Sequence, residues 1–331
     1  MKTVIAIGTF GNLEFTKLAV RSIRETCAPE GVHIAIIVGK PDDDATLEWA
    51  KSQRLQDWAR SQELSPAGDT RFHWLKHDTN KGFPVACNDM IDFAFNRAIA
   101  QFDNLIILGN DVVVYPGAIN AMIECARTTD YEWICASQYD AQSLRNEFPE
   151  ARQFFKRSEN IFTNFDARPW ELKLPHVASI PPEIRGNRMS DVQNCCLFKR
   201  SVFGKLGYFD ANFWPNGYFS DNDFCYRAVQ AGVKGCALPH AAYFHFGSRT
   251  MHQEPSRAAI HDGCFQRNAQ FYQAKWGGLP DAEKFKDAFG GKTHYKLGAC
   301  EPLPCEPLRI PTRLHENEVV GFWSQTKFVQ A

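Results

Sequence analysis

Three polar clusters carry side chains whose types and surroundings suit catalysis. Asp111 stands in Leu108-Gly109-Asn110-Asp111-Val112-Val113-Val114, directly after an apolar run and inside a Gly-Asn turn. A carboxylate there can hold a hard divalent cation together with phosphate oxygens. It can equally close a turn or cap a helix. Asp221 and Asp223 lie in Gly217-Tyr218-Phe219-Ser220-Asp221-Asn222-Asp223-Phe224-Cys225-Tyr226-Arg227. Carboxylates at a helix start suit the dipole there, and one of them either caps the helix or projects as a general base, a role worth roughly 10² to 10⁴ in rate. His245 ends the run Ala241-Ala242-Tyr243-Phe244-His245, where an imidazole is either a satisfied core group or a metal ligand.

The elements that must position these groups follow from the apolar pattern. Val4 to Ile7 is a β-rich run, and Asn12 is placed to cap a helix whose Phe15, Leu18, Ala19 and Ile23 recur at helical spacing. His33 to Val38 predicts a second strand, and the acidic group Asp42, Asp43 and Asp44 predicts a helix start running past Trp49. Arg71 to Leu75 predicts a short strand. Phe83 to Ile99 predicts a helix with Phe83, Cys87, Met90, Ile91 and Ala94 on one face, and Leu105 to Leu108 a strand buried on both sides. The order βαβαβαβ predicts an α/β fold: an open, mainly parallel sheet flanked by helices. Such sheets bind ligands at the carboxyl ends of their strands, so the loops after Ile7, Val38 and Leu108 should share one crevice.

Further on, Asn194 to Phe198 reads as a strand and Ser201 to Leu206 as a short helix. A longer helix runs from near Asp221 to a left-handed cap at Gly232. Residues 139–190 carry five prolines and little periodicity, which suits a substrate-facing loop or a peripheral insertion equally. Trp170, Trp214, Arg185, Arg188 and Arg249 are candidates to line an acceptor side, whereas Trp276 is read first as packing the tail onto the domain. The tail from Ala299 is proline-rich and reads as an extended arm.

Composition bounds the alternatives. The 331 residues are 44% hydrophobic, enough for a large core, and a formal net charge of −1 gives the whole molecule no electrostatic pull toward nucleic acid or anionic membranes. Eleven scattered cysteines without a C-x-x-C pair read as buried thiols of a reducing compartment. The N-terminal apolar run is too short for a signal peptide, and no run is long enough for a membrane helix, so the expected location is cytoplasmic. Gly8-Thr9-Phe10-Gly11-Asn12 is no G-x-G-x-x-G, which argues against a nicotinamide dehydrogenase.

Taken together, the motifs resemble the family 2 glycosyltransferases with the GT-A fold, over about residues 1 to 250. Asn80-Lys81-Gly82-Phe83, followed by Asn88 and the segment from Leu108 to Val114, is similar to that family's N-x-G-F helix and D-x-D-type strand end. Residues 194–248 are similar to its acceptor block: an apolar strand, Gly207-Tyr208-Phe209-Asp210, the F-x-D-x-D-x-C-x-R helix and H-x-G. The resemblance implies that Asp111 binds a divalent metal (Mn or Mg) and the donor diphosphate, with His245 as a further metal or diphosphate ligand. It also implies that Asp221 is the catalytic base, with Asp223 supporting its helix. Thr9, Phe10, Gly39, Lys40, Asp44, Lys81, Gly82, Asn88 and Asn110 complete the implied nucleotide-sugar site. The implied reaction is inverting displacement at the anomeric carbon, with the metal as Lewis acid for the leaving diphosphate.

Two positions depart from the family pattern. Gly39 stands where an Asp usually holds the nucleoside base, and Gly109 stands where the first D-x-D carboxylate belongs. The donor base and sugar therefore stay open, as do a glycan, a nucleic-acid hydroxyl such as a hydroxylated base in DNA, or another hydroxyl as acceptor. A catalytically silent nucleotide-sugar or glycan-binding protein on the same scaffold is the alternative. The expected layout is a nucleotide-sugar-binding half over 1–125, an acceptor half over 126–270, and a C-terminal extension over 271–331.

Overall fold

A computed structural model describes residues 1–27, 30–64, 71–79, 82–97, 102–140, 164–172, 185–186, 194–213, 217–246 and 256–279. The first half alternates as predicted: β1 (Thr3–Thr9), α1 (Leu13–Thr26), β2 (Val32–Val38), α2 (Asp44–Leu64), β3 (Phe72–Lys76), α3 (Gly82–Asp92) and β4 (Asn104–Gly109). There follow β5 (Val112–Val114), α4 (Ala118–Thr128), β6 (Trp133–Asp140), β7 (Arg185–Gly186), β8 (Cys195–Lys199), α5 (Arg200–Leu206), α6 (Ser220–Gln230), β9 (Gly235–His245) and α7 (Ser256–Trp276).

The strands form one sheet in the order β3-β2-β1-β4-β8-β6-β9-β5, with β7 paired to β9. Strands β1 to β4 are mutually parallel. β8 runs against β4 and β6, and β9 runs with β6, so β9 ends on the same edge as β4. β5 turns back against β9. The central strands are buried on both faces, which is why they read as unbroken apolar runs: Val4 to Ile7 and Leu105 to Ile106 are fully buried. One cluster, under α3, α5 and α6, includes Met90, Phe203 and Phe224. The other, under α1, α2 and α4, includes Val20, Ala50 and Met122.

Several expectations needed correction. Asn12 precedes α1 but sits in the left-handed region (φ 61) and makes no side-chain cap bond. Asp43 does cap α2, accepting the Thr46 N–H at 3.1 Å. The helix expected to run from Phe83 to Ile99 is α-helical only to Asp92, and Phe93–Arg97 continue it as a π turn. There Asp92 Oδ1 accepts Asn96 Nδ2 and the Tyr208 hydroxyl, both at 2.9 Å, and apolar periodicity cannot distinguish such a turn from the helix it extends. Phe83 is not on the core face but 42% exposed.

Trp170 also differs from expectation. It is 4% exposed and donates to Glu25 Oε2 at 3.2 Å, so it packs on α1 with Tyr115 and Phe244 and does not line a crevice. Trp214, Arg188, Arg249, most of 139–190 and the tail from Ala299 lie outside the described residues, as does the Arg185 side chain. The nine described cysteines are free thiols, seven of them buried, in keeping with the sequence reading. Among the described residues no helix is long and apolar enough to cross a membrane.

Candidate active site

Strand directions bring the predicted chemistry to one edge. β4 ends at Gly109, and the turn through Asn110 and Asp111 leads into β5, which pairs Val112 with His245 at the end of β9. The Phe246 N–H donates to the Asp111 carbonyl at 2.9 Å, fixing the two chain segments side by side. Their side chains converge: Asp111 Oδ1 lies 3.3 Å from His245 Nε2, with side-chain exposures of 10% and 19%. β8, running the other way, begins at this edge, where Asn194 Nδ2 is 3.1 Å from His245 Nδ1. Asn110 Nδ2 donates to the Gly11 carbonyl at 3.3 Å, tying this turn to the loop after β1.

The donor-loop residues gather beside it. The Gly39 N–H donates to the Thr9 carbonyl at 2.8 Å, and a Cβ on Gly39 would lie 3.1 Å from that oxygen and 3.8 Å from the Phe10 ring. The ends of β1 and β2 are thus closely apposed, and glycine at 39 permits it. Lys40 pairs with Asp42 at 3.6 Å and Asp44 with Lys76 at 2.9 Å, both in exposed settings. The Lys76 ammonium holds the Asp44 carboxyl below its ordinary range, through a hydrogen bond and through its charge. Lys81 lies outside the described residues; Gly82 adopts φ +77 at the start of α3.

Asn88 is in a different position from these. It is fully buried, and its amide both donates to the Phe209 carbonyl and accepts the Phe209 N–H, each at 2.8 Å. Its role is to join α3 to the loop before α6, and it has no side-chain surface for a donor.

α3 leaves the carboxyl end of β3 and crosses beside β1, where a Cβ on Gly8 would meet Met90 Cε at 2.9 Å. Its first turn abuts the segment leading into α6. Gly217 has φ +80, and a Cβ there would clash with Phe83 Cβ at 2.9 Å and Pro84 Cδ at 3.1 Å, so only glycine fits. The start of α6, which carries Asp221, is therefore packed on the start of α3. Burial raises the pKa of the Cys87 thiol in α3, and the nearby Asp221 charge raises it further.

Asp221 is half-buried, whereas Asp223 is fully buried. Asp223 accepts from Arg227 Nε at 2.9 Å, Lys275 Nζ at 2.7 Å and Trp276 Nε1 at 2.9 Å. Burial alone would raise its pKa; Arg227 and Lys275 outweigh that and hold it below the usual carboxylate range. Asp223, expected among the catalytic groups, is thus enclosed as the support of α6. Trp276 packs edge-on against Tyr226 with ring centroids 4.5 Å apart, the packing role read for it first.

Two of the polar contacts that escaped the sequence reading lie near this edge. His77, just after β3, is buried against Asp89 of α3, with Nε2 and Oδ2 2.6 Å apart, and it pins α3 to the sheet edge. The other is Asn194 on His245, which joins residues far apart in the chain and leaves no local pattern.

No protein-family profile and no curated protein matches the sequence. Solved structures do match the fold. S. aureus TarS, residues 1–349, superimposes with a TM-score of 0.51 at 9% identity, covering 87% of this chain and 70% of that one. GalNAc-T7 with UDP, GalNAc and Mn2+ gives 0.51 at 11% identity, covering 74% of this chain and 44% of that one. The fold is GT-A. Asp111 and His245 lie at the carboxyl ends of β4 and β9, the edge at which open α/β sheets bind ligands.

The donor set at that edge suits a divalent cation. A carboxylate oxygen and an imidazole nitrogen 3.3 Å apart are spaced like two ligands of one ion, since bonds of about 2.1 Å at right angles leave donors about 3 Å apart. Among the described residues no group of three or more His, Cys, Asp or Glu side chains is placed to hold a metal. A cation on Asp111 and His245 would then complete its shell with oxygens of phosphate or water.

Proposed function

We propose that this chain is a metal-dependent, inverting glycosyltransferase that moves a hexosyl or pentosyl group from a nucleotide-sugar to an acceptor hydroxyl. The observation that carries the reading is the 3.3 Å approach of Asp111 and His245 at the carboxyl edge of a GT-A sheet, with the start of α6 packed on the start of α3. The UDP and Mn2+ in the GalNAc-T7 structure support its nucleotide-sugar and metal parts.

In this reading Thr9, Phe10, Gly39 and Asn110 shape the nucleotide pocket, and Asp111 and His245 hold Mn or Mg. A divalent ion bound there would supply Lewis-acid neutralisation of the charge gathering on the departing diphosphate. Asp221 takes the proton from the acceptor hydroxyl as its oxygen bonds to the anomeric carbon, on the face opposite the breaking bond, so configuration inverts. Asp223 takes no proton; its three donors fix the helix from which Asp221 reaches. The nucleotide-sugar half is assigned to 1–125 and the acceptor half to 126–270.

The deciding experiment is a thermal-shift panel of UDP-, GDP- and dTDP-sugars with and without Mn2+, followed by assay of nucleoside diphosphate release. A metal-dependent shift with one donor, together with slow release, is the expected result. A shift without any release, even with acceptor libraries, would instead support a silent nucleotide-sugar-binding protein. No shift with any donor would end both readings.

A further inference from the structure

We propose that Asn194 is the positioning residue of the Asp111–His245 pair, its side-chain amide deciding whether His245 closes on Asp111 or offers a lone pair to a cation. The inference rests on the metal-site reading above and deepens it.

Asn194 precedes β8, at the edge where β4 ends. Its carbonyl accepts the Gly109 N–H at 2.9 Å, and its Nδ2 lies 3.1 Å from His245 Nδ1. Glycine at 109 makes room for this arrangement. A Cβ there would stand 3.3 Å from Asn194 Oδ1, 3.4 Å from Asn194 Cβ and 3.1 Å from Val112 Cγ2. The position where a first carboxylate is missing from the D-x-D-type motif is thus the one over which the Asn194 side chain lies. The departure in sequence and the contact in space are two views of one substitution, in which an amide just before the neighbouring strand β8 stands in for a carboxylate on β4.

The chemistry follows from the two nitrogens of a neutral imidazole, one carrying a proton and the other a lone pair. With the Asn194 NH2 donating to Nδ1, the proton is on Nε2 and points at Asp111 Oδ1, 3.3 Å away. Holding a cation on Nε2 requires the opposite tautomer, and the Nδ1 proton then needs an acceptor. A half-turn of the Asn194 amide about its terminal torsion, which is broad and roughly two-fold, presents Oδ1 in place of Nδ2. An amide can serve both states. A carboxylate at 194 would accept only, and an alkyl group would do neither. Groups that orient the second nitrogen of a ligating histidine typically change metal affinity 10- to 100-fold.

The test compares wild type, Asn194→Asp and Asn194→Leu by two readouts. In the metal-free proteins, imidazole 15N spectra should give the Nε2–H form of His245 in wild type and the Nδ1–H form in Asn194→Asp. With Mn2+ alone, titration calorimetry should show Asn194→Leu binding about 10- to 100-fold more weakly than wild type, with Asn194→Asp at least as tight as wild type. If Asn194→Leu fails to fold, the comparison of wild type with Asn194→Asp decides. Unmoved ring signals with equal Mn2+ affinity, or equal weakening in both variants, would overturn the proposal by leaving Asn194 as a space-filler. A wild type that takes up no Mn2+ while the tautomer still moves would defeat the metal reading and leave the role of Asn194 standing.

Discussion

Asp221 and Asp223 occupy the same helical turn, yet they belong to regions built on opposite principles. Beneath α6, Asp223 and Asp210 face Lys275 at 2.7 and 2.8 Å, Arg227 bonds Asp223 and reaches the Leu206 and Tyr208 carbonyls, and all four side chains are at most 12% exposed. Two carboxylates meet two cations and the charges cancel. At the sheet edge, Asp111 and His245 converge, with the Asn194 amide against the far side of the imidazole. The difference teaches how to read an acidic pair: a carboxylate whose lone pairs are all used inside the protein holds structure, and one left at a crevice can meet a ligand.

The sharpest way to break that distinction is to neutralise each carboxylate of α6 in turn. Asp221→Asn should leave the melting temperature nearly unchanged while transfer falls by about 10² to 10⁴, the usual contribution of a general base. Asp223→Asn should do the reverse, destabilising the fold first and activity only as a consequence. Chemical denaturation and turnover measured on the same preparations check both; a stable, inactive Asp223→Asn protein with a fully active Asp221→Asn partner would exchange the two roles.

Next in size is the cation of the closed cluster. Lys275→Met leaves Asp210 and Asp223 buried with one positive partner fewer, and removing one member of a buried ion pair costs about 3 to 5 kcal/mol. The urea midpoint should fall accordingly. Because Lys275 belongs to α7 and Asp223 to α6, the loss should also loosen α6 and slow transfer with Asp221 intact.

How much of this was legible beforehand depended on distance along the chain. The strands of the first half showed because doubly buried strands are apolar over most of their length, as Ile34 to Val38 is. Asp111 and His245 stood out as candidates because each lies at the end of an apolar run, and Asp221 because it opens a helix. The pairings of Lys275 with Asp210, Asn88 with Phe209 and Asn194 with His245 join residues 65, 121 and 51 positions apart, and no local pattern encodes them. Trp170 misled because aromatic and basic residues in an irregular segment have the same composition whether they bind a ligand or, as here, seal a helix.

The closed cluster should also respond to acid. Asp223 has its pKa depressed in the fold, so it contributes stability at every pH above the unfolded carboxylate range. That contribution is lost as pH falls through the depressed folded value and the native carboxylate takes up its proton. In Lys275→Met one of the two charges that depress it is gone, so the loss should begin at higher pH. Unfolding free energies of wild type and variant between neutral pH and pH 3 should therefore diverge most at neutral pH and converge in acid. Parallel curves would remove the Lys275 contact from the account.

The smallest expected effect belongs to the edge and probes how tightly its polar group is packed. Gly109→Ala adds one methyl group 3.1 Å from Val112 Cγ2, 3.3 Å from Asn194 Oδ1 and 3.4 Å from Asn194 Cβ, the first two tighter than an ordinary contact. Neighbours must yield by a few tenths of an ångström, and overpacking of this kind costs about 1 kcal/mol at the lower end of its range. The Asn194 side chain is the neighbour nearest the crevice, so it should shift most and carry its bond to His245 with it. A melting-temperature drop of only a few degrees, accompanied by a changed His245 ring signal, is the expected result. If the signal is unchanged while stability falls by several kcal/mol, the added methyl group has been accommodated by the core around Val112, and the edge is packed as rigidly as the cluster under α6.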